Sequence, residues 1–224
     1  MTTPRHFKET QLDLAWSQLT ELTRKLIVIQ FKDKELGQQY ESMLNHVKQD
    51  HHVKGEIHLG LRRAPGSKNR HHNYEGGLVD HLLEMWAIWQ KLSEVVKAGR
   101  HELLSDSLLW RAILHHDLNK VHRYKLVTED PWEVEYAENM KNSLLSSTHL
   151  VLWTLSQHDI RMPAVLHNAL IVAEGGFSRD ERPRTESVLA KLVYVLDELS
   201  ANVVNRLDLQ RFWDSKQGGL DAQG

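Results

Sequence analysis

The chain lacks cysteine entirely across its 224 residues. That absence excludes disulfides and thiolate metal sites, and it agrees with a reducing compartment. No apolar run approaches the ~20 residues a membrane span needs, so no membrane partner is expected. The opening residues MTTPRHFKETQ lack the apolar stretch of a secretory signal, and the expected location is cytoplasmic. An excess of one charge sign is missing too. The 28 Lys and Arg stand against 30 Asp and Glu, for a net charge of −2. No chain-wide basic field advertises nucleic-acid binding, which would need a local patch. Repeats and low-complexity segments are absent, and β-type alternation is nearly so. Histidine, by contrast, is abundant: there are 15, concentrated between His51 and His167. The remaining composition, 41% hydrophobic and 26% charged, is that of an ordinary globular protein. The length fits one domain, or one domain plus a small appendage, with a core that needs no covalent staple.

Helical periodicity dominates. Leu12, Trp16, Leu19, Leu22, Leu26 and Ile29 recur near every 3.6 residues and predict an amphipathic helix over about 10–31. A more polar helix follows over about 34–49. Residues 51–70 lose periodicity and gain Gly, Pro and Ser, which reads as a long loop. Leu78, His81, Leu82, Met85, Trp89 and Leu92 share one face of a helix over about 77–96. Further helices are predicted over 103–116, from Pro131 to about 155 with a break, from Pro163 to 173, and over about 185–206. The fold class expected is all-α, a bundle of roughly six to eight helices.

Several polar residues fall on the apolar faces. His81 lies between Leu78 and Met85, and His116 and Asp117 close a helix whose inner face carries Leu109 and Ile113. Asp197 lies in line with Ala190, Val193 and Ala201. A bare carboxylate there is costly, because a buried charge needs a partner or a metal. Two imidazoles and two carboxylates facing inward resolve one another's problem by sharing a cation. The donor mix suits a divalent transition metal, and Mn, Co, Zn, Fe and Ni are not distinguished by it.

The stretches HHNYEGGLVDHLLEM, AILHHDLNKV and LVYVLDELSAN resemble the successive motifs of the HD-domain metal-dependent phosphohydrolase superfamily: a His, then His-Asp, then a distant Asp. The first stretch is most similar to the branch with HD-type 3′-exoribonucleases and the HD domains of conjugative relaxases. The resemblance spans about 65–202. It implies a helical HD core over 51–215 around a metal site, preceded by a helical segment over 1–50 packed on it and followed by a flexible tail over 216–224. It implies that His81, His116, Asp117 and Asp197 are the metal ligands and that His71 and His72 sit at the mouth of the site. Asn119 stands where the family usually has glycine, and Lys120 keeps the family's lysine. Asparagine tolerates the left-handed backbone such a glycine adopts. Many members hold a second metal on two further histidines, for which His149 and His158 are candidates. A single-metal site is favoured, because nine residues along one straight helix put these two on opposite faces.

The resemblance implies attack of an activated water on phosphorus. Asp117 would orient the water, with Lys120 and His115 offsetting phosphate charge. Glu174 would be a general acid or base. His72 and two basic loops, with Arg62, Arg63 and Lys68 in one and Arg179 in the other, are candidates for substrate binding. Tyr74, Tyr124 and Trp132 are candidates for stacking a base. The leading expectation is hydrolysis of a small nucleotide, a nucleoside mono- or triphosphate or dNTP. The alternative is a phosphodiesterase or 3′-exonuclease on RNA or DNA. A homo-oligomer through the apolar N-terminal helix remains open.

Overall fold

The computed structural model describes residues 9–30, 32–68, 71–99, 105–137, 146–173 and 187–202. The first amphipathic stretch winds into α1, Glu9–Arg24, with Leu12, Trp16 and Leu19 buried. Beyond Arg24 the winding loosens into a π turn, Lys25–Gln30. A π turn takes an extra residue, so the apolar stripe slips. Leu26 and Ile27 go inward, while Ile29, expected on the inner face, is 52% exposed. Asp33 caps α2, Lys34–Lys48, by accepting the Leu36 N–H at 2.9 Å.

The long helix α3, Gly77–Gly99, and α4, Asp106–His116, form the middle of the molecule. Ser105 caps α4 by accepting the Leu108 N–H at 3.1 Å. A 3₁₀ turn, Leu118–His122, follows α4. After it come α5, Ser147–Ser156, α6, Ala164–Ala173, and α7, Val188–Asn202. The helix α7 packs on α6 and α3, and α4 packs on α3, α6 and α7. One continuous core runs from Leu19 and Tyr40 through Met85, Trp89 and Trp110 to Leu166, Val193 and Leu196. The mostly helical architecture is therefore as the periodicity predicts, with seven α-helices among the described residues. No helix among them is long and apolar enough to cross a membrane.

A small sheet was not expected. The supposed loop over 51–70 supplies β1 His51–Val53 and β2 Glu56–His58, the stretch before Pro131 supplies β3 Tyr124–Thr128, and the segment read as helical from Pro131 supplies β4 Glu133–Tyr136. All pair antiparallel in the order β1-β2-β3-β4. His51 stands opposite His58, Ile57 opposite Leu126, and Lys125 opposite Glu135. Lys54 and Gly55 both have positive φ, 52° and 85°, which is the backbone of a two-residue hairpin turn matched to strand twist. Pro131 lies between β3 and β4, joined to Asp130 by a cis peptide bond. The strands are three to five residues long, too short for two-residue alternation to stand out from helical periodicity.

Candidate metal centre

The centre is assembled by three helices. His81 enters from the first turn of α3 and is fully buried. The glycines before it set that entry. Gly76 has φ 79°, and a Cβ on Gly77 would lie 2.0 Å from the His72 carbonyl oxygen. The chain can therefore fold the His71–His72 loop directly onto the start of α3. His116 is the last residue of α4, and Asp117 is its C-cap with φ −116° and ψ 8°. Helical geometry stops there, so the two neighbours escape the ~100° divergence of consecutive helical side chains and converge. Asp197 comes from α7, 25% exposed at its side chain.

The distances among the four donors are short. His81 Nε2 lies 3.1 Å from Asp197 Oδ1, 3.4 Å from His116 Nε2 and 3.6 Å from Asp117 Oδ2. His116 Nε2 lies 3.3 Å from Asp117 Oδ2 and 3.8 Å from Asp197 Oδ1. Ligands bound at ~2.1 Å stand about 3.0 Å apart at right angles and about 3.4 Å apart at tetrahedral angles. His81, His116 and Asp117 thus have the spacing of a coordination shell, and Asp197 Oδ1 adjoins it through the two imidazoles.

Outer contacts aim the two imidazoles. His81 Nδ1 donates to Ser200 Oγ at 2.9 Å, and Ser200 Oγ donates to Glu84 Oε2 at 2.5 Å. The i, i+3 pair His81/Glu84 on α3 thus faces the i, i+3 pair Asp197/Ser200 on α7. His116 Nδ1 lies 2.6 Å from the Ile113 carbonyl oxygen, which can only accept. In both rings Nδ1 carries a proton, and Nε2 is the nitrogen turned to the cluster, as metal-binding histidines require.

The electrostatics ask for a cation. Burial alone would depress His116, but Asp117 and Asp197 outweigh it and raise its pKa to about 9. Burial pushes Asp117 upward, yet Lys120 and His116 hold it well below the usual carboxylate range. Burial also opposes ionisation of Asp197, and the contact with His81 and the charge of His116 lower it. His81 itself is pushed down to about 4 by burial. The residues present fit a divalent transition metal.

The structure brings several other expected residues here. Lys120 Nζ donates to Asp117 Oδ2 and to the Gly66 carbonyl oxygen, tying the loop before α3 to the centre. The His71 and His72 rings lie against His81, with centroids 5.1 and 5.2 Å away. His71, His72 and His81 form a second group of mutually close donors. His71 Nε2 and His72 Nδ1 are buried without a hydrogen-bond partner among the described residues. His72 Nε2 lies 3.1 Å from Glu84 Oε2. Burial holds His71 at about 4, so its ring is neutral.

Other expectations are corrected. His115 does not reach the centre, because one helical step carries it round α4 to stack on Tyr40, Nε2 to Oη 2.7 Å. Arg62 is held by Glu9 and Asp13. Arg63 is held by Asp50, Glu75 and Glu129 at 2.7, 2.5 and 2.8 Å. Neither arginine presents a free fork to phosphate. Lys68 lies over the Tyr136 ring, 5.4 Å from its centroid. The second-metal pair is not formed. His149 sits in the first turn of α5, bonded to Ser146, whereas His158 lies beyond the other end of that ten-residue helix, bonded to His46. Tyr124 and Trp132 are buried as packing, and Tyr74 donates to Asp80. Asn119 lies in the 3₁₀ turn and is not among the positive-φ residues, so no left-handed backbone is required of it. Glu174 and Arg179 lie outside the described residues, as do the tail over 216–224 and the start of the helix read from 103.

Sequence reasoning missed Ser200 and Glu84. Their signal was available as spacing, since each falls three residues after an inward ligand.

A curated protein of Methanocaldococcus jannaschii, dihydroneopterin 2′,3′-cyclic phosphate phosphodiesterase, is 26% identical over 175 residues. The match covers 78% of this chain and 66% of that protein, so the chain spans about two thirds of its relative's length. The ordered motifs, the His/His/Asp cluster and this similarity agree in likening the chain to the HD superfamily. No protein-family profile matches the chain, and no solved structure matches it.

Proposed function

We propose that this chain is a metal-dependent phosphodiesterase that opens a small phosphate diester, with a cyclic phosphate as the first substrate class to try. The observation that carries this reading is the convergence of His81, His116, Asp117 and Asp197 at 3.1 to 3.8 Å with both imidazoles aimed by outer contacts. The similarity to an enzyme named for a pterin 2′,3′-cyclic phosphate supports the diester. It broadens the expectation of a nucleotide, since a pterin alcohol is not one. The pairing of Arg62 and Arg63 with carboxylates favours a small ester over a polyanion, because a basic rim is what a nucleic-acid backbone would need.

A divalent metal held by the four side chains would supply an acidified water and polarise a phosphoryl oxygen. The chain's own groups do the rest. Asp117, fixed by Lys120 through Oδ2, would hold the attacking water by accepting its hydrogen bond on the other carboxylate oxygen. Water oxygen bonds to phosphorus, one bridging P–O bond breaks, and the released alkoxide takes a proton to leave a monoester and a free hydroxyl. Lys120 balances the carboxylate beside the reacting phosphate. His71 Nε2 and His72 Nδ1, buried without partners, are positioned to contact the remaining phosphoryl oxygens.

Purified protein loaded in turn with Mn, Co, Fe, Ni or Zn should be offered nucleoside and pterin 2′,3′-cyclic phosphates, nucleoside mono- and triphosphates and labelled oligonucleotides. Metal-dependent opening of a cyclic phosphate, lost in Asp117→Ala, is expected. Release of phosphate from free nucleotides alone would replace the diester reading by the nucleotide one. No metal-dependent product from any of them would overturn both.

A further inference from the structure

A second group of imidazoles lies elsewhere, in the N-terminal half of the sheet region. His46 Nδ1 on α2 is 2.9 Å from His158 Nε2, in the turn after α5. Ser42, one turn before His46, places its Oγ 3.1 Å from His158 Nδ1. His51 at the start of β1 stands edge-on to His46, ring centroids 5.7 Å apart. His46 is exposed, and His51 and His158 are half-buried. The three side chains come from three elements, and His46 and His158 are 112 residues apart in the chain.

We propose that His46 and His158 form a second, surface metal site for a late first-row divalent cation such as zinc or copper. In the tautomer this requires, His158 Nδ1 donates to Ser42 Oγ at 3.1 Å and Nε2 keeps its lone pair toward His46. The His46 nitrogen facing it is Nδ1, and two imidazole nitrogens at 2.9 Å have the separation of adjacent ligands around one such ion, about 3.0 Å. Ser42 does for His158 what Ser200 does for His81. Waters complete the shell, as the open position of His46 allows. The bound ion would link α2 to the end of α5. The site is independent of the buried centre and of the reading given to it.

The test is metal stoichiometry on the full chain. Protein stripped with chelator and dialysed against zinc should hold two equivalents by elemental analysis. His46→Ala and His158→Ala should each lose one equivalent, or bind it at least tenfold more weakly, and keep the hydrolytic rate of the parent. His81→Ala should lose the other. Copper added to His81→Ala should give an electron paramagnetic spectrum with nitrogen hyperfine splitting, and that spectrum should vanish in His46→Ala/His81→Ala. Equal zinc content in the parent, His46→Ala and His158→Ala would overturn the proposal and leave a hydrogen-bonded histidine pair. Failure of the buried centre would look different: His81→Ala would then change nothing, while dependence on His46 persisted.

Discussion

Removing the Ser200 hydroxyl tests whether the buried centre is held from behind. In Ser200→Ala, His81 Nδ1 loses its acceptor at 2.9 Å and Glu84 Oε2 loses its donor at 2.5 Å. Ser200 is 1% exposed and Glu84 3%, so water does not replace the missing oxygen without rearrangement. Each buried polar atom left unsatisfied costs about 1–3 kcal/mol. Glu84 retains His72 at 3.1 Å, which softens its share, so the metal-free protein should lose about 2–4 kcal/mol in urea unfolding. The His81 ring is then free to turn or to change tautomer. Loss of such an outer contact weakens metal binding about 10–100-fold. Competition with a chromophoric zinc chelator reads this directly on folded protein. Ser200→Thr restores a hydroxyl and should recover most of the affinity, which separates the hydrogen bond from general loosening of α7. Zinc affinity within about threefold of the parent, well inside that range, would refute the claim that Ser200 fixes His81.

Arg63→Ala should cost about 1.5–3 kcal/mol, because the carboxylate of Glu75, 3% exposed at its side chain, loses a charge-assisted hydrogen bond. The link to Glu129, 56% exposed, contributes little. A denaturant midpoint that barely moves would contradict the clamp. His115 has its pKa depressed to about 3 by burial and by Arg111, whereas an unfolded histidine titrates near 6.5. The unfolded chain therefore binds the extra proton as pH falls below ~6.5, and the folded state loses about 2 kcal/mol from this group by pH 5. The parent-minus-His115→Gln difference in unfolding free energy should shrink by that amount between pH 7.5 and 5, and a flat difference would place His115 in solvent. Gly77→Ala pushes a methyl to 2.0 Å from the His72 carbonyl. Backbone must move, so the variant should lose about 1–3 kcal/mol or more, and its hydrolytic rate should fall as His71 and His72 shift.

The faces of the helices were legible in the sequence because burial imposes a 3.6-residue period on long segments. That period placed His81 between Leu78 and Met85 and put Asp197 in line with Ala190 and Val193, and those are the faces from which the two side chains meet. What period cannot give is the partner. His115 and His116 are adjacent on one helix end, and the period does not reveal that Tyr40, 75 residues away in the chain, draws His115 away from the phosphate role expected of it. The sheet was hidden for a related reason: β1 and β2 have three residues each, and the pairing of β2 with β3 rests on contacts distant in sequence. The π turn erased periodicity locally, which is why Ile29 was misplaced.

The basic loop shows how this limit bears on function. In sequence, LRRAPGSKNR is a run of unopposed charge beside a candidate site, and phosphate anchoring is the natural reading. Its counter-charges are 12 to 66 residues away: Glu75, Asp50, Asp13, Glu9 and Glu129. Folding brings these carboxylates to the arginines, so the loop approaches the centre through a different group, the Gly66 carbonyl that receives the Lys120 ammonium. A carbonyl at that position anchors lysine beside Asp117 and offers nothing to a phosphate. Among the described residues, the groups we propose to meet a substrate oxygen are the inward His71 and His72 nitrogens, a pair suited to one phosphate at the centre. A polyanion would require cations spaced along its length, whereas a small diester requires only contacts converging on a single phosphorus.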